Sequence, residues 1–127
     1  MIVAENFVFV LPPKSASSSV SHALRGVGIH SMHRHEPLLQ KPRQELVVAV
    51  HRPRDEILKS AKLKDGEPWI AYGSRDIREV DFSVWFRFVN FKIEFNQLVE
   101  GWQQFCQRAG LGHIDLPHLN KGFPHGV

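Results

Sequence analysis

The sequence predicts one α/β domain built on a small parallel sheet flanked by helices. Three observations carry that expectation. The apolar run Phe7-Val8-Phe9-Val10-Leu11 leads through a short polar turn into the helical pattern around Val20-Ser21-His22-Ala23-Leu24. A second run, Leu46-Val47-Val48-Ala49-Val50, is continuous and bounded by polar residues, as in a strand buried on both faces. Helical patterns then alternate with strand-like ones to the end of the chain, the arrangement of parallel strands joined by crossover helices. With 127 residues and 43% hydrophobic content the chain supports one core, so residues 1–127 are taken as one domain.

The first strand is expected over Phe7 to Leu11, and the spacing of Val20, Ala23 and Leu24 before Gly26 predicts a helix from about Ser17 to Arg25. Val27 to His30 reads as a short second strand, followed by a His-rich turn and Pro37. Leu46 to Val50 is the central strand. Asp55 to Leu63 places Ile57, Leu58 and Ala61 on one side and stops at Asp65-Gly66, which predicts a helix. Gly66 to Arg78 contains Pro68 and Gly73 with little periodicity and reads as a loop. Val80, Phe82, Val84, Phe86 and Phe88 alternate, although Trp85, Phe88 and Val89 also share a helical face, so strand and helix both stay open there. After a slip at Asn90, the alternation of Phe91, Ile93 and Phe95 predicts a strand. Asn96 is the expected N-cap of a helix with Leu98, Trp102, Phe105, Cys106 and Ala109 on one stripe, ending at Gly110.

Sixteen Lys and Arg against thirteen Asp and Glu give a net charge of +3, with no polybasic block. This balance suits a small polyanionic ligand better than a nucleic-acid backbone, and nucleic acid is not an expected partner. One cysteine, Cys106, excludes an intramolecular disulfide and argues for a reducing compartment. No secretion pattern and no apolar run of about 20 residues is visible, so the expectation is a cytoplasmic protein with no membrane partner.

The chemistry concentrates at the turn after the first strand. Pro12-Pro13-Lys14-Ser15-Ala16-Ser17-Ser18-Ser19 joins a strand to a helix start, the layout in which backbone N–H groups and a helix dipole cradle a phosphate. It lacks the G-x-x-x-x-G-K-[ST] order of a nucleoside triphosphatase, because the lysine comes first and the hydroxyls follow. The bland alternative is a serine-rich N-cap beside an incidental lysine. Pro13 through Val20 resembles the 5′-phosphosulfate loop of the sulfotransferases, P-K-T-G-S-T-S-L, with Ser15, Ser17, Ser18 and Ser19 on its hydroxyl positions and Ala16 where the family prefers glycine. That resemblance implies a P-loop-NTPase-like sulfotransferase fold in a minimal version. It also implies 3′-phosphoadenosine 5′-phosphosulfate (PAPS) as donor and adenosine 3′,5′-bisphosphate (PAP) as product. Lys14 would meet charge growing on the bridging oxygen, and Ser15 to Ser19 would hold the 5′-phosphate.

Two further segments extend the resemblance. His33-Arg34-His35-Glu36-Pro37 is similar to the K-T-H-x-P element of cytosolic sulfotransferases, which places His35 on the general base and leaves Glu36 as its orienting partner or substitute. Read by themselves, these histidines are a polar turn or a metal site, but no second cluster with zinc-like spacing accompanies them and no metal is expected. Val50-His51-Arg52-Pro53-Arg54-Asp55 through Ser60 resembles the 3′-phosphate motif R-[ND]-P-x-[DE]-R-x-x-S. Aligned on Pro53 and Asp55, His51 takes the arginine position, with Arg52 and Ser60 each one residue late. Arg52 is the better candidate, because a guanidinium fork matches phosphate bidentately.

The tail from Phe91 through Leu116-Pro117-His118-Leu119-Asn120-Lys121-Gly122 is similar to the family's closing strand, helix and l-p-h-l-N-k segment. The resemblance implies a sulfuryl transferase acting on a hydroxyl, with carbohydrate as the acceptor class. The stretch Gly66 to Val80 is shorter than in the family, which leaves room for a partner subunit, as in a homodimer, to complete the acceptor side. The competing readings are a transfer-inactive nucleotide-binding or structural protein on the same fold, and a nucleotide kinase. Against the kinase stand the missing Walker order and the lack of a magnesium carboxylate after a strand.

Overall fold

The computed structural model describes residues 1–30 and 35–117. In chain order these form β1 (Ile2–Val3), β2 (Phe7–Val10), α1 (Ser17–Arg25), β3 (Leu46–His51), α2 (Arg54–Ser60), β4 (Ile70–Tyr72), β5 (Arg75–Asp76), a 3-10 turn (Phe82–Phe86), β6 (Phe91–Glu94), a second 3-10 turn (Phe95–Gln97) and α3 (Leu98–Arg108). The main sheet has the order β1-β2-β3-β6. β2 and β3 run parallel, as do β3 and β6, while β1 caps one edge antiparallel to β2. The chain is therefore α/β with a mostly parallel four-stranded sheet, as its alternating pattern implies.

Strand alternation sorts the core into two layers. Phe7, Phe9, Leu11, Val48, Val50 and Ile93 face Val20, Leu24, Leu98, Trp102 and Phe105 of α1 and α3. Val8, Val10, Val47 and Ala49 face Ile57, Ala71, Ile77 and Trp85 on the other side. Because β2 and β3 carry apolar side chains toward both layers, their sequences read as unbroken apolar runs. Phe9 and Phe105 meet edge to face with ring centroids 5.0 Å apart, and Phe7 meets the same ring at 5.1 Å. α3 lies so close to β6 that a β-carbon on Gly101 would approach Cγ2 of Ile93 to 2.5 Å.

The structure corrects several expectations. Val27 to His30 is no strand: the amide of Ile29 bonds the carbonyl of Leu24 at 2.9 Å and that of Gly28 bonds Arg25 at 2.9 Å, with Gly28 at φ 84°. Those paired bonds close α1 in a Schellman motif, and Ile29 packs against the core as the apolar residue that follows such a cap. α3 ends in the same way, Leu111 bonding Cys106 at 2.9 Å and Gly110 standing at φ 73°.

Gly66 to Arg78 is not an irregular loop but holds the hairpin β4–β5, turned at Gly73 with φ 55°. Side chains fasten it: the Asp76 carboxylate accepts the amides of Trp69 and Arg78, both at 2.8 Å, and Arg78 reaches the carbonyls of Lys64 and Glu67. Phe82 to Phe86 takes the helical option as a 3-10 turn, with Asp81 accepting the Ser83 amide at its start. Asn96 is not the cap of α3; it lies inside the second 3-10 turn, and Gln97 occupies the cap position. α2 spans Arg54–Ser60, shorter than the expected Asp55 to Leu63 and shifted toward Pro53.

The slip at Asn90 has a physical cause. Its side chain accepts the Val47 amide at 2.9 Å and donates to the Glu45 carbonyl, while its own amide bonds Val47 O at 2.9 Å. A carboxamide thus stands in for a backbone peptide and continues the β3–β6 ladder by one step.

Candidate functional site

Parallel strands end together, and here the carboxyl ends of β2, β3 and β6 deliver three segments to one place: the turn 11–16, the step Arg52-Pro53, and Phe95. The turn is backbone-strained. Lys14 and Ala16 both adopt left-handed conformations, φ 56° and φ 64°, in a loop that contains no glycine. Each such residue costs about 1–2 kcal/mol, so the surroundings must impose the shape. Left-handed residues at short spacing are a backbone feature of anion-binding nests. Ala16 is also the N-cap of α1 and, being alanine, offers no side-chain acceptor to the first turn. Its methyl is buried at 2% exposure, which holds the residue in place.

Arg52 ties the three strand ends together. Its Nη1 donates to the carbonyl of Lys14 at 2.8 Å, and its guanidinium lies 4.1 Å from the centre of the Phe95 ring. Burial pulls the guanidinium below its ordinary value, with Glu56 acting in the opposite direction. His51, one residue earlier, belongs to the other side of the sheet. Its Nδ1 is 2.8 Å from Oε2 of Glu94, its register partner on β6, and its ring meets Phe86 edge-on at 5.6 Å. Strand alternation explains why the two neighbours diverge.

A cleft of about 310 Å³ opens beside these groups, with Ser15, His51, Arg52, Arg54, Phe82 and Lys92 among its lining. The cationic groups on its wall belong to three separate elements, and two phenyl rings supply apolar faces, with Arg54 5.3 Å from the centre of Phe82 and Lys92 5.6 Å from that of Phe86. Such a wall suits a ligand with separated anionic groups and a flat apolar part.

The structure brings together Ser15, Arg52 and His51 of the residues singled out from sequence. Lys14 is half-buried in the turn, and in the first turn of α1 Ser18 is half-buried while Ser17 and Ser19 are buried. The Ser15 hydroxyl donates to its own loop at Pro13 O, 3.3 Å away. Ser60 ends α2 and is not among the cleft's lining. His35 touches the strand end that begins the turn: its Nδ1 lies 2.9 Å from the carbonyl of Leu11, and its own carbonyl accepts Nε1 of Trp85 at 2.8 Å. A carbonyl only accepts, so the neutral ring carries its proton on Nδ1 and Nε2 is the basic nitrogen. His35 is nonetheless not among the lining of the cleft that Arg52 borders. Glu36 is exposed beside it. His33, Arg34 and the closing segment from His118 lie outside the described residues.

Sequence reasoning missed Lys92 and Glu94. Their signal was present in the alternation of Phe91, Ile93 and Phe95, which sends the intervening residues to the opposite face. Among the described residues no group of three or more His, Cys, Asp or Glu could hold a metal ion, and no helix is long and apolar enough to cross a membrane. No family model, curated protein or solved structure matches this chain.

Proposed function

We infer that this chain is a minimal sulfotransferase-like domain that binds 3′-phosphoadenosine 5′-phosphosulfate and passes its sulfuryl group to a hydroxyl acceptor, with carbohydrate as the class the resemblance implies. The observation that supports this reading best is the glycine-free turn with Lys14 and Ala16 in left-handed conformations, tied by Arg52 and opening onto a cationic cleft. Strain of this kind persists where a binding geometry is held ready. In this reading the amides of Ser15 to Ser19 and the ammonium of Lys14 take the 5′-phosphosulfate, Arg52 with His51 takes the 3′-phosphate, and Phe82 or Phe86 packs on the base. His35 accepts the acceptor's proton at Nε2, with Glu36 as its substitute.

One observation favours the alternative, a nucleotide-binding domain without transfer: His35 does not border the cleft that Arg52 does. The deciding experiment is thermal unfolding with adenosine 3′,5′-bisphosphate and, separately, ATP with magnesium. At a hundredfold excess over its dissociation constant the bisphosphate stabilises by about 2.7 kcal/mol, on the order of 10 °C for a domain of this size. ATP, which has no 3′-phosphate, is expected to give a smaller shift. Equal or absent shifts for both would remove the family reading. Detectable transfer from labelled donor to an oligosaccharide separates the two readings that remain.

A further inference from the structure

Among the described residues His51 is the imidazole on the wall of the cleft, and its ionisation changes the charge that a ligand meets there. His51 and Glu94 face each other across the parallel pair β3–β6, Nδ1 to Oε2 at 2.8 Å. With the ring neutral the pair carries one negative charge; with the ring protonated it carries none. An anion entering among Arg52, Arg54 and Lys92 meets a bare carboxylate in the first case and a compensated pair in the second.

We propose that His51 is a proton-linked contact for an anionic group of the ligand, so that binding in this cleft takes up a proton at Nε2 while Glu94 holds the ring through Nδ1. The inference deepens the reading of the cleft as a bisphosphate site and rests on it. Among the described residues, the charged groups that share the cleft with the ring come from few places. β6 contributes the carboxylate of Glu94 and the ammonium of Lys92. Arg52 and Arg54 add two guanidinium groups, with Glu56 acting on Arg52. The 3-10 turn contributes the uncharged ring of Phe86, and the strained turn contributes Ser15. An incoming anion meets a full charge at this ring only when the ring is protonated. That preference is what couples the proton to the ligand. Unit charges two side-chain lengths apart near a protein surface interact strongly enough for about a tenfold change in affinity.

The test is calorimetric titration of the full chain with adenosine 3′,5′-bisphosphate between pH 5.5 and 8.5, in two buffers that differ in ionisation heat. The phosphates of the ligand titrate in the same range, so His51→Gln supplies the reference. The wild-type affinity is expected to rise about tenfold more than that of His51→Gln as pH falls, with greater proton uptake. Glu94→Gln, which removes the carboxylate without adding a cation, is expected to bind more tightly than wild type at pH 8.5. Matching pH profiles for wild type and His51→Gln, or weaker binding by Glu94→Gln, would overturn the proposal and leave the bisphosphate site standing. Absence of binding at every pH would overturn both.

Discussion

Replacing Arg52 by alanine separates its anchoring of the turn from the phosphate contact proposed for it. The fork donates to the Lys14 carbonyl at 2.8 Å and stacks 4.1 Å above Phe95. A hydrogen bond from a charged donor contributes about 1.5–3 kcal/mol, a partly exposed cation–ring contact about 0.5–1, and the guanidinium's lost hydration subtracts from both. The net is about 2 kcal/mol of stability, which lowers the melting temperature by roughly 8 °C at this chain length. Because the lost bond frees the carbonyl of a left-handed lysine, the turn itself loosens, and adenosine 5′-phosphate should weaken by a few-fold. Adenosine 3′,5′-bisphosphate should weaken by about 30-fold more than that, since about 2 kcal/mol of direct contact goes as well. Thermal unfolding measures the first effect and calorimetry the second. An unchanged melting temperature would refute the anchoring of the turn. Equal weakening of both ligands would refute contact with the 3′-phosphate, and if His51→Ala alone discriminates between them, the 3′-phosphate belongs to His51.

Four other outcomes are expected. Gly101→Ala should destabilise by about 1–3 kcal/mol in denaturant titration although alanine is the better helix former, because Ile93 cannot yield; in an Ile93→Ala background the same change should stabilise. His35→Ala should abolish transfer measured with labelled donor while leaving bisphosphate affinity within about twofold, and wild-type turnover would instead direct attention to Glu36. Cys106, its thiol pushed up to about 11 by burial, should react with thiol reagents at pH 8 more than about a hundredfold slower in the folded chain than in denaturant. Asp76 is held below the ordinary carboxylate range by the amides of Arg78 and Trp69. Its contribution is therefore complete above the unfolded value near about pH 4 and lost as pH falls through the folded one, so Trp69 fluorescence should report hairpin loosening in acid that Asp76→Asn shows already at neutral pH.

Continuous or alternating apolar runs made β2, β3 and β6 legible, because burial on one or both faces leaves little freedom in composition. The errors arose where side chains did backbone work. Ile29 looks like part of a strand because a Schellman cap also wants an apolar residue after its glycine. The hairpin β4–β5 is fastened by Asp76 and Arg78 to backbone groups, a pattern with no periodicity to detect. Phe82 to Phe86 satisfies both periods, and only the burial of Trp85 between Tyr72 and Phe82 decides for the turn. At the site, local spacing exposed the strained turn and Arg52, whereas the partner of His51 lies 43 residues away and is visible only through register.

The left-handed pair in the turn bears on kinetics as well as geometry. A glycine-rich loop samples many shapes and must be ordered by whatever it binds, whereas alanine and lysine at φ 64° and φ 56° have few alternatives nearby. The conformational cost is met when the chain folds, before any ligand arrives. On the proposed reading, encounter with an anion resembles docking to a fixed surface, so its rate should fall with added salt and with rising solvent viscosity.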